Sequence, residues 1–190
     1  MQADWEVEIG GEAPVIDACW PGLVDLRCGP HRVAEIEETQ ALPALADALV
    51  LLNAKHSPVG TAKCDVWTVD EVDAFELDAE ADEAACGLAC YIDLLPAGDR
   101  QWASVESAVE FCKGLCAHLE KVPLRCCRAD LIVRRAIITP EAGGLGITAY
   151  LTACGPREPR ARGQLESALA AFADAVAAQA PPVRPHSSVK

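Results

Sequence analysis

The chain has no run of about 18 consecutive apolar residues, and its longest apolar stretch, Leu42 to Ala54, is short and amphipathic, so a membrane-spanning helix is not expected. Residues Met1 to Glu8 hold three acidic side chains and neither a basic nor an apolar segment, which argues against a secretory signal and for a cytoplasmic protein. Positive charge is scarce. Sixteen Lys and Arg stand against 29 Asp and Glu, a formal charge of −13, which repels phosphate backbones and anionic lipid surfaces. Arg125, Arg128, Arg134 and Arg135 gather along the sequence, as do Arg157, Arg160 and Arg162, but no aromatics interleave with them. Neither nucleic acid nor a membrane is an expected partner.

Chemical motifs are missing too. No Gly-x-Ser-x-Gly elbow, His-Glu-x-x-His pair or dinucleotide fingerprint occurs, and no cofactor is expected. Gly143-Gly-Leu-Gly146 is followed by strand-like residues instead of Lys-Ser/Thr and a helix, so it is expected to be a hairpin turn and not a phosphate loop.

What the chain does have is 51% apolar residues and ten cysteines. The apolar content can fill one core, and residues 1–182 are expected to form a single α+β domain followed by a disordered tail at 183–190. Apolar stripes at helical spacing predict helices over about 41–54, 104–122 and 162–180. The second has Ser104 as its N-cap and the third carries Leu165, Leu169, Phe172 and Val176 inward. Period-two alternation predicts strands near 62–69, 88–95, 126–138 and 145–154, with weaker candidates at Trp5 to Ile9 and Leu23 to Arg27.

In order, these elements suggest a duplicated helix-strand-strand unit, ferredoxin-like in character, over 41–95 and 104–155. Gly87-Leu-Ala-Cys-Tyr-Ile92 parallels Gly146-Ile-Thr-Ala-Tyr-Leu151, and Lys63-Cys-Asp-Val66 parallels Arg128-Ala-Asp-Leu131. The implied architecture is an antiparallel or mixed sheet with three helices packed on one face.

Against this layout most of the cysteines become core residues. Cys64, Cys86, Cys90, Cys112, Cys116 and Cys127 fall on apolar strand faces or within a helix stripe, where a free thiol packs as a small hydrophobe. Cys19, Cys28, Cys126 and Cys154 fall in loops or on the opposite face, where a mild alkylating agent should reach them first. Metal spacing is poor: Cys86 and Cys90 would lie roughly 13 Å apart along a strand. No metal is expected; the weak alternative joins Cys28 and His31 to Cys112 and Cys116 as a Cys3His tetrahedron. Cys28 with His31 is also the one sequence-local thiol and base pairing; His56, His118 and His186 would have to come from elsewhere in the fold, and of these His118 is expected to be solvated and His186 to belong to the tail.

Two surfaces remain. The acidic segment from Asp70 to Glu83 includes Asp78, Glu80 and Asp82 and holds no basic residue; it fails as an EF-hand, having Glu83 and Ala89 where Gly and Glu belong. It is expected to be a solvated loop that can dock a basic protein. The sheet face away from the helices should collect Asp65, Trp67, Tyr91, Asp93, Asp130, Ile132, Arg134, Thr148, Tyr150 and Thr152. Aromatics among spaced carboxylates suit a polar ligand or a protein interface. The leading expectation is therefore a non-catalytic protein that binds a basic protein partner or polar ligand through this face and loop, or pairs through the face as a homodimer. The alternative is a small-molecule enzyme using Asp65 and Asp130 as an acid/base pair, or Cys28 and His31 as a thiol or metal site.

Overall fold

A computed structural model of the chain describes residues 1–11, 14–97 and 102–180. The tail expected at 183–190, with His186, lies outside the described residues. In chain order the strands are β1 (Gln2–Glu8), β2 (Ile16–Asp17), β3 (Val59–Val69), β4 (Cys86–Pro96), β5 (Cys127–Thr139) and β6 (Ala142–Gly155). The helices are α1 (Glu38–Ala41), α2 (Pro43–Leu52), α3 (Val105–Leu119) and α4 (Glu158–Ala178), with a 3-10 turn at Pro30–Glu35. The fold is α+β. Its open, mixed sheet has the order β1-β5-β6-β4-β3; β1 and the short β2 both run parallel to β5, and the other pairings are antiparallel.

The helices cover one face because their apolar stripes have no other surface to meet. In α4 the residues Leu165, Leu169, Phe172 and Val176 are fully buried, and they pack in one cluster with Cys90, Ile92, Ala149 and Leu151 of the central strands. α2 lies beside α4 toward β3, and α3 lies on its other side over β1 and β5. The start of α3 is fixed locally: the Ser107 N–H donates to Ser104 Oγ at 3.3 Å, and the Ser104 N–H donates to Ser107 Oγ at 3.1 Å. α4 begins four residues before the expected Arg162, at Glu158. Pro159 is tolerated in the first turn, where its missing N–H would have had no partner, and Glu158 pairs with Arg162 at 2.9 Å.

Two local expectations are corrected. Leu23 to Arg27 forms no strand; Asp25 Oδ1 accepts the Arg27 N–H at 3.0 Å, a turn that breaks extension. Gly143 to Gly146 is not the hairpin turn but part of β6, with Gly143 opposite Ile137 and Gly146 opposite Arg134. Pro140 and Glu141 make the turn, where the proline ring supplies the first bend.

The sheet register is symmetric about its centre. Tyr91 of β4 faces Tyr150 of β6, Asp65 of β3 faces Tyr91, and Asp130 of β5 faces Tyr150. One row across four strands therefore reads Asp, Tyr, Tyr, Asp.

The face away from the helices is closed at both ends. At one end the segment after β2 crosses from β5 to β3: the Ala18 N–H donates to the Ile137 carbonyl at 2.9 Å, and Trp20 Nε1 donates to the Ala62 carbonyl at 3.1 Å. Ile16, fully buried, seals a small cluster with Ala62, Leu95 and Ala136. At the other end the acidic loop folds back over the sheet, burying Leu77 against Cys126 and Cys154. A glycine admits each cover. A Cβ on Gly146 would stand 2.7 Å from Ile16 Cδ1, and one on Gly87 would stand 2.6 Å from Val72 Cγ2.

Phe172→Ala should cost about 3–5 kcal/mol, because it removes a fully buried ring at the α4 contact with the sheet. Urea denaturation followed by far-UV circular dichroism measures it; a loss under about 1 kcal/mol would mean that α4 is not the keystone of the core.

Candidate ligand and partner face

Between the two covers lies a floor of side chains on alternate positions of β1, β5, β6, β4 and β3. Trp67, Tyr91 and Tyr150 form its aromatic centre, with ring centroids 6.2 Å apart for Trp67 and Tyr91, 6.3 Å for Trp67 and Tyr150, and 6.0 Å for the two tyrosines. These are edge-to-face and tilted contacts, which fix the rings against each other and leave ring surface open. Trp67 is 37% exposed, and both tyrosines are half-buried.

Charge surrounds the rings in pairs. Arg134 stacks over Tyr150 at 5.7 Å, donates to its hydroxyl at 3.2 Å and is held by Glu8 at 2.7 Å. Arg128 pairs with Asp130 at 2.7 Å and reaches Asp4 at 3.7 Å. Lys63 turns to the Trp20 ring, 5.1 Å away. Asp65 is exposed and accepts the neighbouring Val66 N–H at 2.7 Å.

Asp93 is the exception to this solvated pattern. It is only 4% exposed, its Oδ1 accepts from the Thr148 hydroxyl at 2.7 Å, and Thr148 is itself buried. Burial pushes the Asp93 carboxyl above the ordinary aspartate range, opposed by the Thr148 hydrogen bond and then by Lys63 and Arg134. Asp130 is raised in the same sense, by burial against the pull of Arg128. The Tyr91 hydroxyl is pushed up to about 12, by burial first and then by Asp93 and Asp65. A tyrosine so placed is a neutral hydrogen-bonding group at physiological pH and not a base.

The expected face is thus brought together: Asp65, Trp67, Tyr91, Asp93, Asp130, Arg134, Thr148 and Tyr150 share one side of the sheet. The alternatives are not assembled. Asp65 and Asp130 stand on β3 and β5 with two strands between them, three strand spacings or roughly 14 Å, and the tyrosines fill the gap. A hollow beside Asp130 is lined by Asp4, Trp5, Glu6, Arg128 and Leu131, without Asp65. Carboxylates so separated do not perturb each other as an acid/base pair.

Cys28 is exposed and bonded to Asp25, which raises its thiol above the ordinary value; His31 plays no part in that. The pair lies in the loop that follows the crossing segment, whereas Cys112 and Cys116 are buried on α3, pushed up to about 12 and about 11 chiefly by burial. The four do not meet, and no group of three metal-binding side chains occurs among the described residues.

Several contributors were not visible in the sequence. Cys126 and Cys154 lie where expected, at a loop and on the far face, but they are buried and not accessible, since the acidic loop covers them. The loop itself is anchored: Arg125 reaches Asp78 at 3.7 Å and Glu83 at 3.4 Å. Glu80 and Asp82 stay exposed, as does Phe75 at 92%. Asp4 and Glu8 join the face because β1 begins at Gln2, earlier than expected; the alternation of Asp4, Glu6 and Glu8 with Ala3, Trp5 and Val7 is the signal that marks it. The position of Trp20 has no such signal.

Asp93→Asn should stabilise the protein at pH 7, since the amide oxygen still accepts from Thr148 and no charge is buried. Because the folded pKa lies above the unfolded one, folding binds protons, so stability is full below the ordinary aspartate range and falls as pH rises through the raised value. The gain from Asp93→Asn should therefore vanish at pH 3, and urea titrations at pH 7 and pH 3 test it; an equal effect at both would mean that Asp93 is not buried as a charge.

Comparison of the chain with protein-family models, with curated proteins and with solved structures finds no match. The chemistry of the face itself must indicate what it does.

Proposed function

We propose that this chain is an acidic, cytoplasmic binding protein whose partner is a protein segment of basic character, held on the floor of the open sheet face and steered there by the acidic loop. The observation that carries this reading is the triad of Trp67, Tyr91 and Tyr150 on a sheet face that no helix among the described residues covers, ringed by carboxylates. Trp67 and Tyr91 keep ring surface open beside the exposed Asp65, which favours a guanidinium or ammonium over neutral or anionic groups, and Tyr150 already takes the chain's own Arg134 in this way. Ten unpaired thiols suit a reducing compartment. No helix among the described residues is long and apolar enough to cross a membrane.

Charge also weighs against the homodimer expected as an alternative. A face-to-face pairing would set Asp65, Asp130, Asp4 and Glu6 of one copy near those of the other, and two acidic loops beside each other, at a chain charge of −13. Like charges across an interface are costly, whereas a basic partner turns the same groups into attraction. The mirrored row of Asp, Tyr, Tyr and Asp supports reading 41–95 and 104–155 as a duplicated unit, which would explain why the aromatic centre lies on the seam between two hairpins.

An arginine-rich octapeptide is a suitable probe, titrated against the protein by fluorescence at several salt concentrations. Trp67→Ala combined with Tyr150→Ala should weaken binding by about tenfold or more. Neutralising Glu80 and Asp82 should slow association and flatten its salt dependence while changing dissociation little. Binding indifferent to both sets of changes would dismiss both surfaces.

A further inference from the structure

Beneath the acidic loop lie two reactive groups that the binding face does not use, the thiols of Cys126 and Cys154, with the loop's own Glu83 carboxylate beside them. The two cysteines are neighbours across adjacent strands. Cys127 is paired with Ala153, and one step outward the Cys154 N–H donates to the Cys126 carbonyl at 2.9 Å. Both side chains belong to the cluster that Leu77 closes, the thiols lie within hydrogen-bonding reach of each other, and the Cys126 thiol also bonds Glu83. Cys126 stands just before β5 with a left-handed backbone, φ 60°, which ends the ladder there and turns its side chain into the cluster it shares with Cys154, the contact that a disulfide would replace. Other cysteine pairs are less well placed. Cys64 faces Ile92, and Cys90 faces Val66, so those two are diagonal, while Cys112 and Cys116 are a full helical turn apart on one helix.

We propose that Cys126 and Cys154 are a disulfide-forming site gated by the acidic loop, and that its co-reactant is a low-molecular-weight disulfide such as oxidised glutathione. Cys126, the more peripheral of the two, loses its proton to solvent, and its thiolate attacks one sulfur of the glutathione disulfide, releasing one glutathione thiolate and leaving a mixed disulfide. Cys154 then loses its proton and attacks the Cys126 sulfur; the Cys126–Cys154 bond forms, and the second glutathione leaves as a thiolate. Two protein thiols are oxidised, one glutathione disulfide is reduced, and the two protons released by the protein are taken up by the departing thiolates.

The loop controls the rate because it controls both access and ionisation. With Leu77 in place Cys126 is 5% exposed and Cys154 is not exposed at all. Burial pushes the Cys154 thiol up to about 12, and burial followed by the Glu83 charge raises the Cys126 thiol, so the attacking thiolate is scarce while the loop is closed. What holds the loop down is Leu77, with the half-buried Val72, Ala79 and Ala84 beside it, and the exposed pairs of Arg125, an anchorage that local opening can release without global unfolding. Formation of the bond ties the entry of β5 to the exit of β6 and removes the S–H that Glu83 accepts.

The test is to incubate the folded wild-type protein with oxidised glutathione, block free thiols in acid, digest with trypsin and analyse by mass spectrometry. The expected product joins the peptide Cys126–Arg128 to the peptide Ala136–Arg157, and dithiothreitol should reverse it. Because the first peptide also contains Cys127, Cys126→Ser must abolish the link and Cys127→Ser must keep it. Leu77→Ser should accelerate formation by about tenfold, with exposed Cys19 and Cys28 reacting at unchanged rates as internal standards. A link that survives Cys126→Ser, a mixed disulfide at Cys126 that never resolves onto Cys154, or no link in either wild type or Leu77→Ser while Cys28 is modified, would each overturn the proposal.

Discussion

Burial of the α4 stripe on β4 and β6 is the contact on which the rest of the molecule depends. Leu165, Leu169, Phe172 and Val176 occupy the middle of the helix-covered face, and α2 and α3 take the remaining room on either side. The helices with apolar stripes are thereby all committed to one side. The other side of a mixed sheet, whose strands still carry alternating side chains, is left to be handled by short segments and by its own residues. Its ends are closed by Ile16 and Leu77, and its centre by tyrosines that pack on each other. What remains accessible in the middle follows from where the helices went.

Much of this was legible because it is periodic. The stripe of α4, the Ser104 cap and the parity of Cys90, Cys112, Cys116 and Cys127 are local properties, and they place those residues as observed. Parity also put Asp65, Trp67, Tyr91, Asp130 and Tyr150 on a common face without any knowledge of strand order. It could not say how far apart residues on that face would stand. The distance between Asp65 and Asp130 depends on β4 and β6 pairing at the centre, a non-local choice with no signature in either hairpin alone. The same holds for the two covers. Ile16 and Leu77 have no periodic context: Ile16 is admitted by Gly146, distant in sequence, and Leu77 is buried against Cys126 and Cys154, equally distant. Parity alone therefore leaves Cys126 and Cys154 accessible, whereas the loop buries both.

The cysteines divide by what surrounds them more than by where they fall in the sequence. In the helix-side core a thiol is a small apolar group, and burial suppresses its ionisation, as it does for Cys90, pushed up to about 12. At the periphery the hydrogen bond to Asp25, and then its charge, raises the Cys28 thiol, and burial followed by the Glu83 charge raises Cys126. An acidic protein thus quietens its thiols generally, because nearby carboxylates oppose thiolate formation as burial does. Ten thiols are less prone to ionise on such a background than on a basic one.

The glycines at Gly87 and Gly146 occupy corresponding places on β4 and β6, yet they accept unlike visitors: a valine from a loop dense in carboxylates at one, an isoleucine from a crossing segment whose one carboxylate is Asp17 at the other. A floor symmetric about Tyr91 and Tyr150 would hold an extended chain equally well head to tail or reversed. The unlike ends remove that degeneracy. One rim carries more negative charge than the other, so on the proposed reading an elongated occupant whose own charge is uneven along its length would settle in a single direction on a surface that is itself nearly a palindrome.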